Sequence, residues 1–188
     1  MRRTDPLIGP LIVGAGPAGC AAAIALARGG ARPLLVEREA EAGDALCGGF
    51  LGWRTAERLR DLGLDPAALG AHPVEHLRLF GPGAPLETRL PRRAWGLSRK
   101  ALDTRLRELA VEAGAELVID TVREVDGLTV VARHHTWKPE SLFLASGKHD
   151  VRGCARPREA DDPALGLRLR LHPSRGLARR LAGRIELH

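Results

Sequence analysis

The sequence predicts an α/β fold that opens on a strand, a tight turn, a helix and a second strand, and three observations in residues 11–37 predict it. An apolar strand end, Leu11-Ile12-Val13, runs into glycines spaced G-x-G-x-x-G at Gly14, Gly16 and Gly19. A segment rich in small residues follows as far as about Arg28, with Ala18, Ala21, Ala22, Ala23 and Ala25 making a thin helix that packs closely. A second apolar run, residues 33–36, ends on Glu37, eighteen positions after Gly19. Each glycine has a mechanical reason. Gly14 permits the sharp turn out of the strand, Gly16 lets a pyrophosphate approach the backbone, and Gly19 lets the helix lie close on the sheet. The helix start, at Pro17 and Ala18, offers N–H groups and the positive end of the helix dipole to that pyrophosphate. Glu37 is placed to hydrogen-bond both hydroxyls of a ribose, and its charge disfavours a 2′-phosphate. Gly29 or Gly30 closes the helix.

The bulk numbers set bounds. A chain of 188 residues is long enough for one domain with a real core, or one and a fraction. Hydrophobic content of 44 % beside 28 % charge describes a soluble globular protein. There is no run of eighteen apolar residues, so no membrane span is expected. The first six residues lead straight into the first strand, so no signal peptide is expected. Cys20, Cys47 and Cys154 are widely spaced with no C-x-x-C, which signals neither zinc nor a redox disulfide; the cytoplasm is the default. Nearly all of the net charge of +6 lies in the last segment, where residues 151–188 hold 9 arginines against 4 acids. Those arginines alternate with leucines at strand period, without aromatic residues for base stacking, so nucleic-acid binding is not expected. The preference for 26 Arg over 3 Lys reads as codon bias. His134 and His135, read as neighbours on a strand, point to opposite faces, and no histidine has ligand spacing with an acid or cysteine; no metal is expected.

The rest of the chain reads as short elements. Residues 38–49 are a loop, and 54–62 a helix with Thr55 as N-cap and Gly63 as stop. Residues 76–80 and 86–90 alternate apolar and polar across a Gly-Pro-Gly-Ala-Pro loop, which predicts a hairpin. Trp95 either lines a site or packs beneath one. A helix from residue 96 puts Leu102, Leu106, Leu109 and Ala113 on one face, with Asp103, Arg105, Arg107, Glu108 and Glu112 filling the rest, and ends at Gly114. Residues 116–122, 128–132 and 141–147 are expected as strands, the last of them buried. Residues 154–163 read as a linker, 164–172 as a strand, 174–182 as a short helical stretch and 184–188 as the start of another strand. A chain that stops there is expected to stop inside a domain.

With the motifs placed, a family resemblance emerges. Gly14, Gly16, Gly19, Ala23, Leu26, Gly30 and Glu37 meet a longer spacing that resembles the N-terminal FAD-binding fingerprint of flavoprotein oxidoreductases. The run CGGFLGWRTAERLRDLGLD resembles the loop and helix of the geranylgeranyl-reductase-like branch. That resemblance implies a glycine loop beside the flavin, with Cys47 and Gly48 in the site; Cys47 is then an active-site candidate, and the alternative is a small buried hydrophobe. The run GLSRKALDTRLRELAVEAGAEL resembles the S-R-x-x-L-D-x-x-L helix of hydroxylase- and reductase-type flavoproteins. It implies that Arg99 reaches the cofactor and that the backbone near Val122 passes the adenine; the alternative for Arg99 is a solvated helix start. SLFLASG resembles the A-T-G or A-D-G strand end that closes over the pyrophosphate, which implicates Ser146 and Gly147. Aromatic hydroxylases have Asp-Gly there and a loop one residue longer, so the Ser146-Gly147 pair and Asp150 favour the reductase-like branch.

The resemblance implies a Rossmann-like, three-layer FAD-binding domain from residues 1–71 and 96–153. It is interrupted by the start of an antiparallel substrate sheet in residues 72–95 and 154–188. It also implies FAD as cofactor, with Arg38 beside Glu37 in its site, NAD(P)H as electron donor, and a small-molecule substrate of apolar or isoprenoid type. It covers the first half of a family member, which leads to the expectation that this chain alone does not turn over substrate. No catalytic acid or base is assignable. Two other readings stay open. One is an NAD-dependent dehydrogenase, for which no catalytic arrangement is recognisable in a chain without tyrosine. The other is a non-enzymatic nucleotide-binding remnant.

Overall fold

The structure, a computed structural model, describes residues 8–157 and 166–188. Its elements in chain order are β1 (Leu11–Val13), α1 (Pro17–Arg28), β2 (Leu34–Glu37), β3 (Phe50–Leu51), α2 (Trp53–Asp61), β4 (His72–Leu79), β5 (Leu86–Gly96), α3 (Arg99–Glu112), β6 (Glu116–Ile119), β7 (Val122–Asp126), β8 (Thr129–Ala132), β9 (Thr136–Trp137), β10 (Leu142–Leu144), α4 (Arg175–Leu181) and β11 (Arg184–Leu187). They form two compact units, one from Met1–Gly43 with Leu102–Ala164 and one from Asp44–Ala101 with Leu165–His188. This division groups residues 44–71 with the hairpin that follows them, whereas the sequence-based segmentation groups them with the N-terminal unit.

The first unit is built on a parallel sheet of order β10-β1-β2-β6, in register Leu11↔Leu34 and Leu11↔Leu142. Alternation along the strands splits its residues between two faces. Leu11, Val13, Leu34 and Val36 pack against Val125, Val130, Ala132 and Trp137 of an antiparallel meander, β7-β8-β9. Ile12 and Leu35, both fully buried, point the other way, and α1 lies against β1 and β2 through Gly19, Cys20, Ala23 and Ile24. Meander, sheet and helix are the three layers. Full burial of a side chain such as Leu35 is worth about 1.5–3 kcal/mol, so truncating it to Ala costs about 2–5 kcal/mol. Gly30 takes the left-handed conformation (φ 88°) just beyond α1.

Three expectations change in this unit. The strand expected over 116–122 is two strands, because the chain turns at the buried Asp120. The apolar stretch 141–147 is not a buried strand. Only Leu142–Leu144 is extended, and Phe143 and Leu144 are 40 % and 47 % exposed, since β10 lies at the sheet edge and pairs only with β1. On α3, Leu102, Leu106 and Ala110 are the buried spine, and Asp103 is buried with them rather than on the polar face.

The second unit has a mixed sheet of order β11-β4-β5-β3, with α2 packed on β5. The expected hairpin is present and longer than the pattern suggested, running from His72↔Gly96 to Leu79↔Leu86. Its register jumps: Val74 pairs with Ala94 and His76 with Arg89, so residues 90–93 of β5 oppose Glu75 alone. The helix expected from residue 54 starts at Trp53 with Gly52 as N-cap; Thr55 sits inside it and caps nothing. α4 and β11 lie where the sequence placed them, α4 capped by the Ser174 hydroxyl, which accepts from Leu177 N–H at 3.2 Å. Of the strand expected over 164–172, residues 164 and 165 lie outside the described residues and 166–172 form no strand. Instead Arg168 and Arg170 leave the chain to bind Asp44. Of the linker over 154–163, residues 158–163 also lie outside the described residues.

Candidate functional site

Because all four strands of the first sheet run parallel, their C-terminal ends share one edge, and ligands bind α/β sheets at that edge. Gly14 follows β1, Glu37 ends β2, Asp120 follows β6 and Ala145 follows β10. The three glycines of the turn are not equivalent. Gly14 has φ 102°, donates its N–H to Val36 O at 2.8 Å, and would place a Cβ 2.5 Å from Ala145 O. A Cβ on Gly19 would overlap the Gly14 carbonyl oxygen and lie 3.3 Å from Ala145 Cβ. The protein's own packing demands glycine at both. Gly16 is different: its backbone is extended (φ −79°, ψ −175°), and a Cβ there meets no protein atom within 4 Å. Neither conformation nor packing requires glycine at Gly16, so its backbone is open to close approach from outside the protein.

The adjoining helix end suits an anion. α1 has Pro17 in its first turn, no acid there, and no side chain capping it. Its first intrahelical bond is Cys20 N–H to Gly16 O, which leaves the N–H groups of Ala18 and Gly19 directed outward. Cys20 lies beneath the turn, donating its thiol to Ala15 O at 3.3 Å; burial pushes that thiol up to about 12, so it stays protonated.

Glu37 is held by the protein itself. Its Oε2 accepts from Ala15 N–H at 2.8 Å, and its Oε1 from the N–H of Arg38 at 2.9 Å and of Glu39 at 3.3 Å. A carboxylate has roughly four acceptor positions. These bonds therefore fix the side chain and leave one acceptor position on Oε2; the Arg107 guanidinium lies 3.5 Å from the same oxygen. Arg107 is the residue that the sequence reading assigned to the polar face of its helix. Its side chain is only 12 % exposed; Nε donates to Ala15 O at 3.1 Å and Nη1 to Glu39 O at 2.9 Å. It thereby clamps the glycine turn to the end of β2.

Other members of the edge are joined to these. Arg38 Nη2 lies 3.2 Å from His149 Nε2, and Ser146 Oγ donates to His149 O at 2.7 Å. Gly147, at φ 64°, makes the turn between them. Asp120 N–H donates to Glu37 O at 2.8 Å, and its carboxylate accepts the N–H groups of Thr121, Arg133, His134 and His135, with His135 Nδ1 at 2.8 Å. Burial pushes that carboxyl up, and the hydrogen bonds from His135, His134 and Thr121 outweigh it, holding it below the usual carboxylate range. His134 and His135 thus sit in a turn between β8 and β9, not on a strand, and one of them bonds an acid fifteen residues away. Among the described residues no group of three metal-ligating side chains is found. Val122 opens β7 beside this turn, paired with Ala132.

The edge therefore brings together Gly14, Gly16, Pro17, Ala18, Gly19, Glu37, Arg38, Val122, Ser146 and Gly147. Cys47, Gly48 and Arg99 belong to the second unit. There Cys47 is half-buried, its sulfur accepting from Gly49 N–H at 3.4 Å. The Arg168 guanidinium binds the carbonyls of Asp44, Ala45 and Cys47 and so shapes that loop. Gly49, at φ 75°, would place a Cβ 2.8 Å from Leu97 O. Arg99 is the first residue of α3, one residue after Ser98, whose hydroxyl accepts from Ala101 N–H at 3.1 Å.

Fold and edge together define a dinucleotide-binding α/β unit of the kind found in flavoenzymes, with which it shares its architecture. The chain belongs to the FAD binding domain family, which residues 9–148 match. An uncharacterized protein in the nifH2 5′ region of Methanosarcina barkeri is 37 % identical over 156 residues, spanning 75 % of this chain and 83 % of that protein. Menaquinone reductase of Mycobacterium tuberculosis is 34 % identical over 146 residues, 73 % of this chain and 34 % of that enzyme. A geranylgeranyl bacteriochlorophyll reductase-like protein from Thermoplasma acidophilum shares the fold, with a TM-score of 0.61 and 23 % identity over 76 % of this chain and 40 % of that one. The chain thus spans about a third of the menaquinone reductase and two-fifths of the structural neighbour. No helix among the described residues is long and apolar enough to cross a membrane.

Proposed function

We propose that this chain is the FAD-holding part of a flavin-dependent oxidoreductase of the reductase type, working in the cytoplasm with a nicotinamide nucleotide as electron donor and a small apolar substrate. The observation that carries the FAD reading is the open backbone at Gly16 beside the uncapped start of α1, with Glu37 held across the turn. In this reading Ala18 and Gly19 N–H hold the pyrophosphate, and Glu37 takes a ribose hydroxyl on Oε2. Arg107 keeps Glu37 and the turn in register, Val122 borders the adenine, and Ser146 and Gly147 close the far side. Arg38 steadies that loop through His149. Cys47, Gly48 and Arg99 are assigned to the flavin end through the family resemblance. The flavin, when bound, supplies the redox chemistry, and the protein supplies binding, orientation and charge. The similarity to menaquinone reductase favours a reductase over a monooxygenase. An absorbance spectrum of the purified protein, followed by FAD titration, tests the reading. Flavin bands or a saturable FAD response support it; NAD binding without FAD binding overturns it in favour of a dehydrogenase.

A further inference from the structure

The second unit holds a groove of about 660 Å³ that the flavin reading does not use. It lies where β5 carries residues 90–93 opposite Glu75 alone. The extra residues bulge out of the sheet, and the strand end beside them meets α2. The walls carry four arginines (Arg60, Arg89, Arg92 and Arg93) against two acids, Glu57 and Glu75. Arg92 binds Glu57 at 2.6 Å and Arg93 binds Glu75 at 2.8 Å. Arg60 reaches out of the groove to Asp65 at 3.2 Å. Arg89, exposed on β5, has no carboxylate in ion-pair range among the described residues. The Arg93 hydrogen bond first, with the Arg93, Arg89 and His76 charges adding, holds the Glu75 carboxyl below its usual range. The guanidinium groups of Arg60 and Arg93 lie 6.0 Å and 5.9 Å from the centre of the Trp95 ring, within reach of its face.

We propose that this groove is a phosphoryl-anion site, in which Arg89, Arg92 and Arg93 take the diphosphate or phosphate ester of a nucleotide-sized ligand and Trp53 borders its organic part. Guanidinium forks match phosphate oxygens two at a time, and a phosphate offers several such oxygens to neighbouring arginines. The existing pairs do not block this. Arg92 and Arg93 are 68 % and 57 % exposed, and exposed ion pairs are weak enough to exchange partners. The volume falls in the range of small-molecule sites, roughly 300–1,000 Å³. Two sources have this chemistry, the phosphates of a pyridine nucleotide and the diphosphate of an isoprenyl compound. The proposal does not rest on FAD being bound, because every residue it uses lies in the second unit.

The test is calorimetric titration of the full chain with inorganic pyrophosphate, NADPH, NADH and an isoprenyl diphosphate. Tryptophan emission is the second readout, since two of the three tryptophans, Trp53 and Trp95, line the groove. Saturable pyrophosphate binding is expected, weakened about tenfold in Arg89→Ala and further in Arg89→Ala/Arg92→Ala. The component of binding that the arginine variants lose is expected to persist in Gly16→Val, which removes only the separate anion-binding position at the glycine turn. NADPH binding more tightly than NADH assigns the groove to a nucleotide phosphate, and a preference for the isoprenyl diphosphate assigns it to a substrate. Absence of saturable binding, or equal affinity in the parent and both arginine variants while their circular dichroism is unchanged, overturns the proposal. A response lost in Gly16→Val and kept in the arginine variants also overturns it, because the anion then sits at the glycine turn.

Discussion

The three glycines of the turn separate packing from binding, and a pair of substitutions reads the difference. In Gly19→Ala the new methyl overlaps the Gly14 carbonyl oxygen. Position 19 lies in the first turn of α1, where Ala is the better helix former by up to about 1 kcal/mol. Overpacking against backbone costs about 1–3 kcal/mol, so a net loss of about 1–2 kcal/mol is expected, a fall in Tm of roughly 2–8 °C for a chain of this size. A loss against helix propensity is diagnostic of the clash. In Gly16→Val the side chain enters space free of protein atoms, at an extended backbone that β-branched residues adopt readily. The Tm of the cofactor-free protein should therefore stay within about 2–4 °C of the parent, a change of about 1 kcal/mol or less. The same side chain would take up the open space beside the start of α1 that a closely approaching pyrophosphate needs. Losing even one charge-assisted bond to a phosphate, about 1.5–3 kcal/mol, weakens FAD roughly 10- to 150-fold. Thermal unfolding by circular dichroism without added FAD gives the first quantity, and flavin-fluorescence titration gives the second. The argument fails if Gly16→Val binds FAD as tightly as the parent, or if Gly19→Ala is as stable as the parent.

Glu37→Gln should weaken FAD about tenfold or more while leaving any FMN binding unchanged, because FMN lacks the adenosine ribose; equal FAD affinity would mean the side chain points elsewhere when ligand is bound. Arg107→Met keeps the length of the side chain but loses its bonds to Ala15 O and Glu39 O, and should raise the FAD dissociation constant several-fold with Glu37 intact; a flavin titration unaffected by the change would remove Arg107 from the site's support. Asp120→Asn should cost about 1–3 kcal/mol, since an amide cannot accept all the N–H groups now gathered on the carboxylate. Its pH dependence has a definite sign. The folded carboxyl is held below its unfolded value of about 3.9, so its stabilisation is full above that pH and is lost as the pH falls through the folded value. The gap in Tm between parent and Asp120→Asn should therefore narrow on going from about pH 6 to about pH 3, and a gap independent of pH would show that the charge is not what holds the turn.

What the sequence made legible, and what it did not, follows from how far each interaction reaches along the chain. The β1–α1–β2 unit is encoded by neighbours: the spacing of Gly14, Gly16 and Gly19, the small residues of α1 and the acid ending β2 lie within one short stretch. Pattern also sufficed for the hairpin, because alternation and a Gly-Pro loop are local, but not for its register, since residues 90–93 look like more strand. The partners of Arg107 lie 68 and 92 positions away, and those of Arg168 more than 120 away, so both read only as charges on a surface. Leu167, Leu169 and Leu171 show the same limit from the other side. Their alternation with arginines has the period of a strand, yet Arg168 and Arg170 are drawn to Asp44 while the leucines are 82–93 % exposed. Period alone cannot say whether a neighbouring strand exists to pair with. Asp120 joins the two cases. A single acid between two strands carries no local signal, but it ends β6 at the sheet edge where Glu37 ends β2, and its N–H bonds the Glu37 carbonyl. The glycine turn names the cofactor edge from sequence; the buried acid and the buried arginine that hold this edge in shape are visible only once the strands are side by side.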